Sequence, residues 1–282
     1  MDWLHDGIPD LRAAYMLERR KPLPEWAKWQ QFSDGLQNVR VLQHLPPNLS
    51  SWPVIVIYFH GGGWIVGSPE THADITCALS EASNCELISV DYRLAPEHDA
   101  LDQIDDGLLV VESILSSRAV SNRSRKIILC GDSAGGAIAL AVERHASPEI
   151  RRYIVGVCSL YGCFGLFDSS SLVTRGRREE GLDHDCVLRC WKLVHSGAGE
   201  NPYSLSAIAQ LSPVPAYLVA AADDPLRDDT LMLADRLVEC KREVIVDLVE
   251  SETHGFMHNV HSSKSASAAL DRLAAWIVSL NL

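Results

Sequence analysis

The sequence predicts an α/β domain whose mostly parallel sheet is covered by helices on both faces. Short, β-branched and almost continuously apolar runs recur along the 282 residues, which is typical of strands buried on both faces. Helical stretches lie between these runs, and this alternation predicts a doubly wound α/β arrangement. The composition, 47% hydrophobic and 22% charged, is that of an ordinary globular chain.

The strand predictions rest on apolar runs of five to seven residues. They cover 54–59, 86–92, 126–130, 154–158, 216–220 and 244–249. A further run at 39–42 is predicted as an added edge strand. Helices are expected where apolar residues recur every three or four positions, as Ile104, Leu108 and Val111 do. The predicted helices cover 71–83, 102–116, 134–145, 229–240 and 266–280.

Two regions interrupt the strand–helix rhythm. Residues 1–50 carry several tryptophans, and residues 163–210 contain no predicted strand. A stretch of that length is uncommon as a plain loop and usually forms a lid or an insertion. We expect both regions to be helical and to form one cap on an α/β domain made of 51–162 and 211–282.

Charge and hydropathy exclude several classes of protein. The formal net charge of −12 disfavours binding to nucleic acid. No apolar stretch approaches the roughly 18 residues of a membrane span. The first residues lack the basic and apolar regions of a secretory signal, so we expect a cytoplasmic protein. The eight cysteines form no CxxC pair, so we expect neither a zinc nor a redox motif.

The segment Gly131-Asp132-Ser133-Ala134-Gly135 fits the G-x-S-x-G pattern. It follows a predicted strand and opens a predicted helix, which is the setting of a nucleophile elbow. Glycines flank the serine because neighbouring side chains would collide in so tight a turn. The alternative interpretation is a small-residue helix start that packs against the sheet.

A second motif, His60-Gly61-Gly62-Gly63-Trp64, directly follows another predicted strand. Consecutive glycines let backbone N–H groups approach a ligand, as in an HGGG-type oxyanion loop. A phosphate-binding loop is the alternative, but the sequence lacks the following Lys-Ser or Lys-Thr and the G-x-G-x-x-G spacing.

A serine hydroxyl needs a general base and an acid that orients it. In chain order, the acid is expected after one of the later strands, and the histidine is expected after the last strand. Asp223 and Asp224 follow the run 216–220, and His254 follows the run 244–249. The residues alone leave the two aspartates nearly tied.

These motifs, together with Asp91-Tyr92-Arg93-Leu94-Ala95-Pro96-Glu97-His98, Asp224-Pro225-Leu226-Arg227-Asp228 and His254-Gly255-Phe256, stand in one order. The chain from about Trp52 to its end thereby resembles the hormone-sensitive-lipase-like (family IV) branch of the α/β-hydrolases. The resemblance implies an α/β-hydrolase fold with a mostly parallel eight-stranded sheet, flanking helices and a helical cap. The sequence departs from the family pattern at residues 99–102 and 159–164.

The resemblance also implies roles for individual residues. Ser133 would be the nucleophile, His254 the general base, and Asp224, which directly precedes Pro-Leu, the acid that orients it. The oxyanion hole would be formed by Gly61, Gly62, Gly63 and Ala134. Whether Gly61 donates its own N–H or only shapes the loop stays open.

The predicted function is that of a serine carboxylesterase that forms an acyl-enzyme and needs no metal or other cofactor. Its expected partner is a small-molecule ester with a short acyl chain. The cap is rich in aromatic residues and the expected pocket residues are Trp64, Tyr161 and Phe164, which together indicate a small, apolar pocket. One alternative is a deacetylase or amidase acting on an acetylated metabolite, and a remote one is a non-catalytic receptor on the same fold. The resemblance leaves a homodimer open.

Overall fold

A computed structural model describes residues 1–49, 54–116, 126–210 and 212–280. Eight strands form one sheet in the spatial order β1-β2-β4-β3-β5-β6-β7-β8. The strands are β1 (Ala27–Ser33), β2 (Asn38–His44), β3 (Val54–Phe59), β4 (Glu86–Asp91), β5 (Lys126–Asp132), β6 (Ile154–Leu160), β7 (Ala216–Ala221) and β8 (Val244–Val249). β2 pairs antiparallel with β1 and β4, and β3 to β8 pair in parallel. The α/β-hydrolase fold and the eight-stranded sheet that the sequence predicts are confirmed.

The six strands predicted between residues 54 and 249 all lie where the sequence places them, with ends that differ by at most two residues. Every residue of β3 and of β7 is buried. Side chains on both faces of these strands are therefore apolar, and this is the continuous pattern that made them recognisable. Because parallel strands share one orientation, the loops that follow β3, β5, β7 and β8 meet at the same edge of the sheet.

The expectation that residues 1–50 are helical is wrong for residues 27–44. They form an antiparallel hairpin of two strands, with Gly35 in the turn at a φ of +92°. β1 is the outer edge strand and only Ala27 in it is buried, so its apolar signal is weak. The run 39–42, which the sequence did predict, is the centre of β2 and lies one strand in from that edge.

Helices cover both faces of the sheet. They are α1 (Ile8–Arg19), α2 (Ala73–Ser83), α3 (Ala100–Ser116), α4 (Ala134–His145), α5 (Pro148–Arg151), α6 (Ser170–Arg175), α7 (His184–Val194), α8 (Leu205–Ile208), α9 (Arg227–Glu239) and α10 (Lys264–Ser279). Apolar side chains of α3, α4 and α9 join the core cluster on one face, and those of α2 and α10 join the cluster on the other. Within the described ranges, no helix has the length and apolar composition that crossing a membrane requires.

The chain's first residues pack against the segment between β6 and β7. The Arg189 guanidinium on α7 donates to the backbone oxygens of Trp3 and Asp6. Trp3 is 8% exposed and its ring makes an edge contact with that of Tyr15 on α1. The two segments therefore meet above the sheet, although the chain separates them by more than 150 residues. The domain limits expected at 51 and 211 and the chain end at 282 lie outside the described residues.

Candidate active site

The turn between β5 and α4 holds Ser133 in a conformation that L-residues rarely adopt, with φ of 51° and ψ of −119°. Two glycines make the turn possible. A Cβ on Gly131 would lie 2.2 Å from the backbone oxygen of Gly135, and a Cβ on Gly135 would lie 2.0 Å from that of Phe59. The close approach of backbone to backbone keeps the helix start against the end of β3 and presents the serine at the sheet edge.

We expect Gly135→Ala to destabilise the protein strongly, because the added methyl group meets rigid backbone and no flexible side chain. Overpacking of this kind costs about 3 kcal/mol of unfolding free energy or more. Urea unfolding followed by circular dichroism would measure it. Gly197→Ala is the matched control, since its Cβ would meet nothing closer than 3.8 Å, and a change of less than about 0.5 kcal/mol is expected. Equal effects of the two substitutions would contradict this account.

Three side chains from separate loops form one chain of hydrogen bonds. Nε2 of His254 lies 2.9 Å from Oγ of Ser133, and Nδ1 of His254 lies 2.9 Å from Oδ2 of Asp224. Because a carboxylate only accepts, Nδ1 carries the proton that it donates to Asp224. In the neutral ring Nε2 then has a free lone pair, which accepts the hydrogen bond from the serine hydroxyl.

The structure separates the two aspartates that the residues alone left tied. Asp224 is fully buried, and its Oδ1 accepts the N–H of Leu226 at 2.7 Å. The side chain of Asp223 is 60% exposed and lies 3.9 Å from Arg175. Asp224 is thus the aspartate that contacts His254.

The surroundings of His254 decide its charge. Burial lowers the pKa of the imidazole, but the adjacent Asp224 carboxylate outweighs burial, and the pKa of His254 is raised above its usual value. The ring of Tyr161 packs edge-on against His254 with centroids 5.0 Å apart. The carboxylate therefore stabilises the imidazolium, and the tyrosine ring helps to hold the imidazole in its orientation.

The glycine loop lies beside Ser133. Gly62 and Gly63 adopt φ angles of +114° and +57°, and both line the same cavity as Ser133 and Ala134. The N–H of Gly61 points elsewhere, because it donates to Oδ1 of Asp132 at 2.9 Å. The expectation that Gly61 contributes to the oxyanion hole is thus corrected to a role in fixing the loop.

Asp132, the residue before Ser133, connects the elbow to the glycine loop. Its Oδ1 accepts hydrogen bonds from the Tyr58 hydroxyl at 2.8 Å as well as from Gly61. Burial raises the pKa of Asp132, but the nearby His72 and His258 and the hydrogen bond from Tyr58 lower it well below the usual range. His60 fixes the loop from its other side through a hydrogen bond of 2.8 Å between Nδ1 and the backbone oxygen of Gly61.

A cavity of about 530 Å³ opens above the serine. Its wall includes Trp64, one of the three pocket residues expected from the sequence, but not Tyr161 or Phe164. Tyr161 packs between His254 and Phe256, and Phe164 belongs to the core. Of this loop, Cys163 is the residue that reaches the cavity.

The remaining wall comes from parts of the chain that sequence reasoning did not assign to the site. These residues include Tyr15 and Arg19 of α1, Val187 and Cys190 of α7, Leu226, and His258. His258 follows the His-Gly-Phe motif by two residues, and no motif of its own marks it in the sequence. The sequence predicts that the segment 163–210 is helical, but it does not show which side chains of α7 reach the cavity.

The sequence and the fold resemble those of known proteins. A family model described as the alpha/beta hydrolase fold matches residues 56–258. Carboxylesterase NlhH of Mycobacterium tuberculosis is 28% identical over 247 residues, which cover 85% of this chain and 77% of that protein. An esterase of Pyrobaculum calidifontis superposes with a TM-score of 0.87 at 23% identity, covering 98% of this chain and 94% of the other.

A third protein is an ester hydrolase from the metagenome of Lake Arreo, solved in complex with a derivative of bipyridine phosphonate. It has a TM-score of 0.85 and 25% identity, and the match covers 98% of this chain and 91% of that one. The family model spans well over half of the 282 residues. The chain therefore belongs to the α/β-hydrolase fold family, in the hormone-sensitive-lipase-like branch that its motifs indicate.

Proposed function

We propose that this carboxylic ester hydrolase cleaves short-chain acyl esters through Ser133, His254 and Asp224. The observation that supports the proposal is the pair of 2.9 Å contacts that links the three side chains at the floor of the cavity. A serine is activated when its hydroxyl is hydrogen-bonded to a base and a buried carboxylate orients that base.

The reaction proceeds in two steps. Ser133 Oγ attacks the ester carbonyl carbon while His254 Nε2 takes the hydroxyl proton, and the resulting imidazolium is stabilised by Asp224. His254 then protonates the leaving alcohol, and an acyl group remains on Ser133. A water molecule, deprotonated by the same nitrogen, attacks this acyl-enzyme and releases the carboxylic acid.

The negative charge on the tetrahedral intermediate needs donors that are already in place. We assign this role to the backbone N–H groups of Gly62, Gly63 and Ala134, which surround Ser133 on the cavity wall. One such donor contributes about 2.7–4 kcal/mol to transition-state stabilisation. Gly61 supports them indirectly, because its N–H holds Asp132.

The cap and the cavity suggest which esters fit. We propose that α1 with residues 1–7 and the segment 163–210 form the cap, since both contribute residues to the cavity wall. The rings of Trp3, Tyr15 and Trp64 lie on that wall and narrow it. A cavity bounded in this way favours acyl groups from acetyl to roughly hexanoyl.

A fluorophosphonate probe tests the proposed nucleophile. Such probes phosphonylate an activated serine, so we expect one adduct per chain, mapped to Ser133 by peptide mass spectrometry. Heat-unfolded protein is the control and should not react, because an isolated serine hydroxyl is poorly nucleophilic. An adduct on any other residue, or none, would refute the proposed role of Ser133.

Acyl-chain preference is tested with p-nitrophenyl esters from acetate to palmitate. We expect kcat/KM to be highest between acetate and hexanoate and to fall for longer chains, because the cap bounds the cavity. The matched anilide of the best ester, measured in parallel, separates an esterase from an amidase. A maximum at palmitate would contradict the short-chain proposal.

The raised pKa of His254 predicts the pH dependence of the reaction. The imidazole must be neutral to accept the serine proton, and Asp224 favours its charged form. Activity should therefore be present at high pH and be lost as the pH falls through the raised pKa. We expect the acid limb of kcat/KM, which reports the free enzyme, to have its midpoint above the ordinary histidine value of about 6.5. A midpoint clearly below that value would contradict the electrostatic role of Asp224.

A further inference from the structure

Two histidines and a carboxylate meet next to the catalytic cavity, which Asp132 and His258 line. His72, Asp132 and His258 each offer one ligand atom, and these atoms all lie within 4.8 Å of one another. His72 is fully buried and Asp132 is 2% exposed. None of the steps of ester hydrolysis uses Nε2 of His72, Oδ2 of Asp132 or the ring of His258.

The hydrogen bonds around His72 show which of its nitrogens is free. The Thr71 hydroxyl donates to the backbone oxygen of Ser68 at 2.8 Å, so it can only accept from Nδ1 of His72, 2.9 Å away. Nδ1 therefore carries a proton, and in the neutral ring Nε2 has a lone pair. Within the described part of the chain, this buried Nε2 has no hydrogen-bond partner.

That lone pair faces a negative charge. Nε2 of His72 lies 3.5 Å from Oδ2 of Asp132 without forming a hydrogen bond. The other carboxylate oxygen, Oδ1, already accepts from Tyr58 and Gly61. While Nε2 is unprotonated, two acceptors face each other in a buried place, and this requires a positive charge between them, supplied either by a proton or by a cation.

We propose that His72 Nε2, Asp132 Oδ2 and a ring nitrogen of His258 bind one divalent transition-metal cation such as Zn²⁺. Imidazole nitrogen and carboxylate oxygen are ordinary zinc ligands at about 2.0–2.2 Å, which places tetrahedral ligand atoms about 3.4 Å apart. The 3.5 Å between His72 and Asp132 already matches that separation. His258, which is only partly buried and follows the catalytic loop in a short 3-10 helix, moves by at most about 1.4 Å to complete the set.

The cation has a route to the site and a consequence for the enzyme. Asp132 and His258 both line the catalytic cavity, so the fourth coordination position faces solvent there. Asp132 holds the glycine loop, and His258 lies four residues after His254. Bound metal would thus join the oxyanion loop to the segment that carries the catalytic histidine and would stabilise both. The metal takes no part in the hydrolytic step. The proposal of a metal site is therefore independent of which ester the enzyme cleaves.

Cobalt binding to the full-length protein tests the proposal. We titrate metal-free protein with Co²⁺ and expect one equivalent to bind with the visible d–d absorption of a four-coordinate site. The near-ultraviolet charge-transfer band of thiolate ligands should be absent, which separates this site from the eight cysteines. With Zn²⁺ at about a hundred times its Kd we expect the melting temperature to rise by about 5 °C.

Two variants identify the ligands. His258→Ala should weaken Co²⁺ binding at least tenfold and abolish the Zn²⁺-dependent rise in melting temperature, while circular dichroism shows it folded. His261→Ala, at an exposed histidine three residues further on, should bind as the original protein does. His254→Ala should also retain binding. Three results would each overturn the proposal. The first is that no stoichiometric binding is found, the second is that the thiolate absorption band appears, and the third is that His254→Ala loses binding. The first of these results would mean that a proton on His72 neutralises Asp132 instead.

Discussion

Ser133→Ala should lower kcat for the best p-nitrophenyl ester by about 10⁶-fold, down to the level that the oxyanion donors and binding alone sustain. The substitution removes the attacking oxygen and leaves the 2.9 Å contact between His254 and Asp224 in place. The other residues of the cavity wall are unchanged, so substrate should still bind. Steady-state hydrolysis measured with high enzyme concentration gives kcat, and circular dichroism gives the folded fraction.

The pair Ser133→Ala and His254→Ala provides the sharper version of this experiment. Residues that act as one unit show strongly non-additive effects. His254→Ala should therefore cost about as much as Ser133→Ala, and the double variant should lose almost nothing further. Additive losses in the double variant would show that the two residues do not act in one step, and our mechanism would then be wrong.

Asp224→Asn should lower kcat by about 10⁴-fold. An amide at this position can donate a hydrogen bond to Nδ1, which would leave the proton on Nε2, the nitrogen that must accept from Ser133. The amide also removes the charge that stabilises the imidazolium. The pKa of His254 should consequently fall, and the acid limb of kcat/KM should move to lower pH.

Asp223→Asn is the matched control for this substitution. The two aspartates are neighbours in the chain and undergo the same chemical change, but the side chain of Asp223 is 60% exposed and faces Arg175. An exposed ion pair of this kind contributes less than about 1 kcal/mol to stability, so activity and its pH profile should stay nearly unchanged. Comparable losses in the two variants would contradict the assignment of Asp224.

The inner part of the fold was predictable because its signals are local. β3 and β7 are buried on both faces, so each strand is a continuous apolar run. The elbow was predictable for a similar reason, since a Cβ on Gly131 or on Gly135 would collide with a backbone oxygen of a neighbouring segment, and both positions therefore have to be glycine. The hairpin 27–44 was not predictable. β1 lies at an edge of the sheet and most of its side chains are partly or fully exposed, so its sequence lacks the continuous apolar run of a buried strand.

Contacts between residues distant in the chain decide which backbone N–H groups of the site are free and which side chains line the cavity. The sequence could not show that the N–H of Gly61 is taken by Asp132, 71 residues away. It also could not show that Phe164 faces the core while Cys163 reaches the cavity. Adjacent residues in an irregular loop point in directions that only packing decides.

By itself the sequence determined the six strands between residues 54 and 249, the elbow at Ser133, the glycine loop and the histidine that follows the last strand, because each of these follows from a short, contiguous pattern. Only the tertiary structure decided which aspartate reaches His254, which glycine is already bonded, and that His72, Asp132 and His258 share one place. The physical reason is distance along the chain. Ser133 and His254 are 121 residues apart, and only the packing of the sheet fixes their side chains within one hydrogen bond.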